Sequence, residues 1–242
     1  PSFPHPSREN AKIFFLHDPP HLLKLLRNWL LDDGFKLRSG TVISKHLFRQ
    51  LFDKLFEGDS EVRIAHKLSF KHILIKGPDR QRVRPACQLL SKSTSDAIKI
   101  LFPKDKRMLE FAEFILTTNH WFDIFNSSTK KHPTRTMGAA FGVRHEEQME
   151  TLEKFKEIIS GLRVTGRHDL MPWQEGIIYT TNSLPPLFQY LQSQYQIEYL
   201  LTYRINQDGL EHLFGQLRAM CGMYRSFGSL SFKRRLRDHI LG

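Results

Sequence analysis

The sequence predicts a predominantly helical α+β fold, and three observations carry that prediction. Residues 12–17, KIFFLH, form a short apolar run that ends on Asp18 and gives way to an amphipathic helical pattern. The stretch 62–116 is helical in tone, with apolar residues recurring at a period near about 3.6. Close to the other end, a second amphipathic helix begins near Asn206 and carries Glu211. A helical insertion within an α/β domain produces that order, and so does one continuous α+β domain.

The elements follow in turn. KIFFLH suits a central strand, because aromatic and branched side chains fit a pleated, buried surface. Asp18 ends it, and Pro19 and Pro20 suit the first turn of a helix, where the missing N–H costs nothing. Leu22, Leu25, Leu26, Trp29 and Leu30 then share one helical face until Asp32, Asp33 and Gly34 stop it. A second helix is expected between Gly40 and Glu57, where LFRQLFDKLF places Leu47, Phe48, Leu51, Phe52 and Leu55. RPACQLLSKSTSDAIKILF and RMLEFAEFILTTNHWFDIFN continue the helical period, SSTKKHPTRT (127–136) is a basic polar loop, and 145–160 is another helix. The stretch 161–188 is broken by Gly and Pro around a strand-like GIIYTT. There is no internal repeat and no low-complexity block.

At 242 residues the chain can build one large domain or two modest ones, and its 19 phenylalanines point to a packed interior. Lys and Arg outnumber Asp and Glu by 36 to 25, a formal charge of +11. That surplus favours a polyanionic partner, nucleic acid before an anionic membrane, although a basic surface that only aids solubility fits nearly as well. Cys87 and Cys221 lie far apart without a CxxC pair, so neither a disulfide framework nor a zinc site is indicated, and a reducing compartment is expected. No apolar run is long enough to span a bilayer and no signal peptide opens the chain; no membrane partner is expected. The opening PSFPHPSREN suggests a segment of something longer.

Two acids stand out. Asp18 suits an N-cap, worth about 0.5–2 kcal/mol, and equally a metal ligand at the carboxyl end of a strand, where α/β sheets place their sites. Local residues favour the cap; a carboxylate has lone pairs for both roles. In NQDGLEHLFGQLR, Leu210, Leu213, Phe214 and Leu217 define a core face, and Glu211 sits on its flank, about 100° away. There a carboxylate can face a cleft while its helix stays packed. The bland alternative for Asp208 and Glu211 is acid near a helix start capped by Asn206. Gly209, at a cost of about 1 kcal/mol relative to alanine, hints at a close approach to that turn.

FFLHDPPHLLKLLRNWLLDDGF and LLTYRINQDGLEHLFGQLR resemble two segments of the P-element family of DNA transposases, including their THAP-domain relatives in animals. RPACQLLSKSTSDAI and WFDIFNS resemble the region between, so the likeness covers essentially the whole chain. The resemblance implies an RNase H-like catalytic domain with three acids, interrupted by a largely helical GTP-binding insertion. The expected division is 1–56 and 189–242 for the RNase H-like segments and 57–188 for the insertion. Asp18 then corresponds to the second catalytic acid and Glu211 to the third, both also metal ligands, with the first expected upstream of Pro1 and a zinc-bearing THAP domain earlier still. Strand cleavage and joining are in-line displacements at phosphorus helped by two Mg²⁺ ions, which take oxygen ligands from distant segments. With two acids only, the chain alone is expected not to cleave DNA.

The nucleotide site rests on the same resemblance, since there is no GxxxxGK[ST] loop and hence no Walker-type cradle. By motif position Lys67, Arg82, Val83 and Ser91 would contact GTP, Asp123 and Asn126 would read the guanine, and Asp208 would lie near the nucleotide or its Mg²⁺. GTP would position DNA or promote assembly without being hydrolysed; transposon-end and target DNA, a homo-oligomer and a nuclear location complete what the family implies. Each residue has a plainer role open to it: solvated charge for Lys67 and Arg82, a helix cap for Ser91 and Asn126. Two departures stand out. Arg82 replaces an expected lysine, and AMCGMYRSFGSLSFKRRLRDHIL lacks the proline and asparagine usual in that turn. KKHPTR and FKRRLRDH are candidate phosphate contacts; His17 and His21, four apart, lack further ligands for zinc. A domesticated, non-catalytic binding module and a helical interaction module unrelated to nucleotides are the rival readings.

Overall fold

The computed structural model describes residues 2–9, 11–57, 64–220 and 228–241. Strands β1 (Ser2–Pro4) and β2 (Lys12–Phe14) pair antiparallel, with Phe3 opposite Ile13. Helix α1 (Pro19–Asp32) follows, then β3 (Phe35–Lys36), β4 (Val42–Ile43) and α2 (Lys45–Leu55). The middle is helical: α3 (Val83–Leu89), α4 (Lys92–Leu101), α5 (Lys106–Phe125) and α6 (His145–Gly161). Strand β5 (Arg163–Val164) precedes the long α7 (Pro172–Tyr195), and α8 (Asp208–Ala219) and α9 (Ser229–Leu241) close the described chain. The predominantly helical α+β class expected from the sequence is what forms.

One core runs through these helices. The leucines at helical spacing in α1 are its first layer: Leu22, Leu23, Leu26 and Leu30 are at most 3% exposed, each burial contributing about 1.5–3 kcal/mol. α1 packs on α3, α5 and α7, and α5 packs between α4 and α6. Helix α5 carries Phe111, Ile115, Trp121, Ile124 and Phe125 at 0% exposure. At one edge β3 lies between β4 and β5, pairing Phe35 with Ile43 and with Val164. Gly34 makes the turn into that sheet at φ +76°, where a Cβ would lie 2.9 Å from the carbonyl oxygen of Ile43.

Three local expectations change. KIFFLH is not a central strand: β2 ends at Phe14, pairs only with β1 among the described residues, and leaves Phe15 53% exposed. The backbone beyond it is taken up by a helix instead, His17 N–H donating to Thr180 Oγ1 of α7 at 2.9 Å. GIIYTT is not a strand but the first half of α7, which continues through Pro185 and Pro186. Its Ile177, Thr181, Leu184 and Phe188 are buried at helical spacing, and Gly176 admits α1, since a Cβ there would meet Leu22 Cδ2 at 2.9 Å. Asn206 is not the cap of the Glu211 helix; the cap position is Gln207, and its side chain makes no capping bond. The altered turn after Arg218 falls largely on residues 221–227, outside the described residues.

Candidate functional site

Asp18 stands where α1 begins, and its two oxygens do two things. Oδ2 accepts the backbone N–H of His21 at 2.9 Å, the expected cap. Oδ1 accepts the backbone N–H of Gln207 at 3.0 Å, at the start of α8. Glu211 lies one helical turn further on, its N–H bonded to the Gln207 carbonyl at 2.9 Å, and its side chain is exposed. Asp18 lines a cavity of about 470 Å³ with His17, His21, Trp173 and Gln207. Asp18 and the acidic helix are thus tied together through the backbone of α8. Among the described residues no three His, Cys, Asp or Glu side chains converge as a ready-made metal cluster. The side chain of Asp208 lies outside the described residues.

A second cavity, of about 420 Å³, opens between the segment 65–68 and the helices α3 and α4. Lys67 and Ser91, two of the expected nucleotide contacts, line it together. Ser91 is the N-cap of α4: its Oγ accepts the Thr94 N–H at 3.3 Å, so the α4 N-terminus and its partial positive charge face the cavity. Arg84, Cys87 and Gln88 complete one wall. They were not picked out from the sequence, although Arg84, Cys87, Gln88 and Ser91 follow a helical i, i+3, i+4, i+7 spacing. Gln88 is held from behind by His72: Ser69 N–H lies 3.2 Å from His72 Nδ1, and His72 Nε2 lies 3.0 Å from Gln88 Oε1. With Nδ1 accepting, Nε2 carries the proton and donates to the Gln88 oxygen, leaving the Gln88 amide N–H₂ for the cavity.

The other expected contacts are not in the lining of that cavity. Arg82 starts α3, is paired to Asp79 at 3.1 Å, and its side chain is largely exposed. Val83 turns partly into the core. Asp123, 3% exposed near the end of α5, accepts a hydrogen bond from Arg135 Nη1 at 2.8 Å. Burial pushes its carboxyl up, and Arg135 acts against that shift. Asp123 and the cavity are electrically linked through Cys87, whose thiol is pushed up to about 12, first by burial and then by the Asp123 charge. Asn126 caps the end of α5, its N–H 3.3 Å from the Asp123 carbonyl. Beneath these, Arg27 is wholly buried; it donates from Nη2 to the Arg80 carbonyl at 2.6 Å and is pushed down to about 10 by burial and the Arg80 charge.

Residues 20–136 match the family described as the TNP-like, GTP-binding insertion domain. The chain is 32% identical over 243 residues to the Transposable element P transposase of Drosophila melanogaster, across 99% of its own length. The solved Drosophila P element transposase strand transfer complex aligns with 99% of it at a TM-score of 0.90. This chain belongs to the P-element transposase family. A more distant relative is the human DNA transposase THAP9, 25% identical over 96% of the chain. The chain spans 32% of the fly protein's length, 26% of the human one's, and 54% of the solved fly chain. Within this P-element-type chain, the matched insertion-domain residues include Lys67, Arg82, Val83, Ser91, Asp123 and Asn126. Asp18, Asp208 and Glu211 lie outside that match.

Proposed function

We propose that this chain is the part of a DNA transposase in which a GTP-binding insertion is joined to segments of an RNase H-like catalytic domain, acting in Mg²⁺-dependent DNA cleavage and strand transfer. The observation that carries the reading is the bond from Gln207 N–H to Asp18 Oδ1. It holds a candidate catalytic acid against the helix of another, across 189 positions of sequence. Mg²⁺ fits the donors available, which are hard carboxylate oxygens at Asp18 and Glu211. Bound there, divalent ions supply activation of an attacking oxygen and stabilisation of a leaving one. Waters and the phosphate oxygens of the DNA complete the shell that two carboxylates leave open, and the third acid that the family likeness implies would come from another part of the full-length protein.

GTP is the cofactor. Lys67 and Arg84 supply positive charge to its phosphates beside the α4 N-terminus, where free backbone N–H groups and the helix dipole favour an anion. Asp123 and Asn126 take the guanine, with Asp208, Arg82 and Val83 at the margin. The sequence holds no GxxxxGK[ST] loop for a Walker-type cradle, and in this reading GTP acts as a positioning cofactor. The partner is DNA, in agreement with the charge of +11 and with the basic side chains of α9, and the location is nuclear.

Two measurements test this. Calorimetric titration with GTP and with ATP should give binding with a GTP preference, lost in Lys67→Ala and Asp123→Ala. Equal binding of GTP to both variants removes them from the site. Strand transfer by the full-length protein should vanish in Glu211→Gln without loss of folding; retained transfer refutes the catalytic assignment.

A further inference from the structure

The proposed site leaves Arg135 unassigned, yet an entire loop is folded to place it. Its Nη1 donates to Asp123 Oδ1 at 2.8 Å. Nε and Nη2 lie 3.0 and 2.8 Å from His132 Nε2, so the imidazole backs the guanidinium. The backbone N–H groups of Thr134 and Arg135 lie 3.3 and 3.1 Å from His132 Nδ1; a neutral ring accepts at one nitrogen only, so it takes either these groups or the guanidinium. Gly138 closes the turn: a Cβ there would lie 3.1 Å from Arg135 Cβ and 3.5 Å from His132 Cβ. Asp123 is buried and receives no hydrogen bond at Oδ2 from any described residue. One oxygen is pinned, and the other is left as an acceptor.

We propose that Arg135 is a positioning residue for base selection: it fixes Asp123 as an oriented carboxylate whose Oδ2 accepts from a guanine edge and turns adenine away. The inference rests on the reading that Asp123 faces the base of bound GTP. Guanine offers two adjacent N–H donors, N1–H and the exocyclic amine, which a carboxylate accepts. Adenine offers a lone pair at N1, which a carboxylate repels but a neutral carboxyl would satisfy by donating its proton. Discrimination therefore requires the ionised form, in a place where burial opposes it. The groups whose charge reaches Asp123 are Arg135 and His132 from the loop; the Cys87 thiol of α3, itself raised by burial and by the Asp123 charge, stays neutral at physiological pH. Arg135 is the main counterweight to burial; without it the carboxyl rises further.

The test is GTP and ATP affinity from about pH 5 to about pH 8, where a buried carboxyl can titrate, for the unaltered chain, Asp123→Ala, Arg135→Ala and Arg135→Lys. The unaltered chain should keep its GTP preference over more of that range than Arg135→Ala. Arg135→Ala should bind GTP at the upper end and lose about tenfold in affinity per pH unit below its raised carboxyl pKa, while ATP binding is maintained or improves. Arg135→Lys, which keeps the charge, should restore most of the preference. An Arg135→Ala profile parallel to that of the unaltered chain, even with a lower melting temperature, marks a structural ion pair and overturns the inference while leaving the GTP site in place. Unchanged GTP binding in Asp123→Ala removes the base-site reading and the inference with it. Should Arg135→Ala fail to fold, His132→Ala makes the same comparison: it frees the guanidinium without removing it, and an unchanged GTP-to-ATP ratio at every pH overturns the inference.

Discussion

Asp18 and Gln207 are joined by a 3.0 Å hydrogen bond across 189 positions of sequence. The same carboxylate caps its own helix through His21 N–H at 2.9 Å. One side chain therefore serves two helix N-termini that the chain brings together from its two ends. Because Gln207 makes no capping bond of its own, α8 takes its cap from Asp18. The junction is further fixed from α7, where Thr180 Oγ1 accepts the His17 N–H and Gly176 lets α1 approach.

Substitutions at Asp18 should separate capping from charge. Asn keeps one acceptor oxygen and turns its second position into a donor, so it can satisfy only one of the two N–H groups. Asp18→Asn should cost about 1 kcal/mol and Asp18→Ala about 1–4 kcal/mol, at about 0.5–2 kcal/mol per lost cap. Both should abolish strand transfer by the full-length protein. Urea unfolding of the two variants gives the energies; equal loss in both would mean that only one of the two hydrogen bonds matters in solution.

Cys87 lines the nucleotide cavity yet should be chemically quiet. Its thiol is pushed up to about 12, chiefly by burial, so at about pH 8 the thiolate fraction is about 10⁻⁴, against about a quarter for an ordinary cysteine. In a Cys221→Ser background, alkylation by iodoacetamide should run about a thousandfold slower than for an unfolded control. Its rate should rise about tenfold per pH unit. Alkylation at the ordinary rate would show that the wall of the cavity opens.

The helices were legible where burial follows a single face. The leucines of α1 and the apolar period of α5 announce themselves, as do Pro19 and Pro20 after Asp18. α7 was not legible, because Gly176, Pro185 and Pro186 carry local penalties of about 1–3 kcal/mol each in a helix interior. Burial of Ile177, Leu184 and Phe188, at about 1.5–3 kcal/mol apiece, outweighs them. The hydrogen bond from Trp121 Nε1 to Thr181 Oγ1, 2.9 Å, anchors the middle of the helix. The strand-like run at 12–17 was over-read because its apolar side chains are half-exposed here. Asp18 and Glu211 could be named as acids from local pattern, but their roles came from a family likeness. What brings them together is a backbone hydrogen bond between remote segments, which no local period can signal. Arg135 was marked only as part of the basic run KKHPTR, and its partner was illegible for the same reason: it meets Asp123 from a loop, twelve positions away and off any helical spacing.

Gly142 should be among the least replaceable residues outside the two sites. It sits at φ +101°, and a Cβ there would come within 2.5 Å of Phe188 Cζ and 3.1 Å of the Glu198 carbonyl oxygen. Backbone strain of about 1–2 kcal/mol adds to overpacking of about 1–3 kcal/mol. Phe188 cannot retreat, since it is 3% exposed and edge-on to Phe141 at 5.3 Å. Gly142→Ala should therefore lower stability by about 2–5 kcal/mol in chemical denaturation. A loss under about 0.5 kcal/mol, the size of an ordinary surface change, would contradict the close approach of Gly142 to Phe188.

Glu113 supplies a pH test of the surface charges. The hydrogen bond from Lys154 Nζ, at 2.5 Å, holds its carboxyl below the usual value, with Lys99 at 3.7 Å assisting and burial opposing. A carboxyl depressed in the folded chain contributes stability above its unfolded pKa and loses it as pH falls through the folded one. The sign is therefore fixed: Lys154→Ala should destabilise at about pH 7 and have no effect at about pH 2, where Glu113 is protonated in both states. The size is small, because both side chains are about half exposed and such pairs are worth about 0.2–1 kcal/mol. Thermal melts at both pH values, repeated at about 1 M salt where screening acts within about 3 Å, should show the difference at neutral pH and its reduction by salt. A Lys154→Ala effect that persists unchanged in acid would mean that Lys154 stabilises α6 through its aliphatic stem against α5 rather than through its charge.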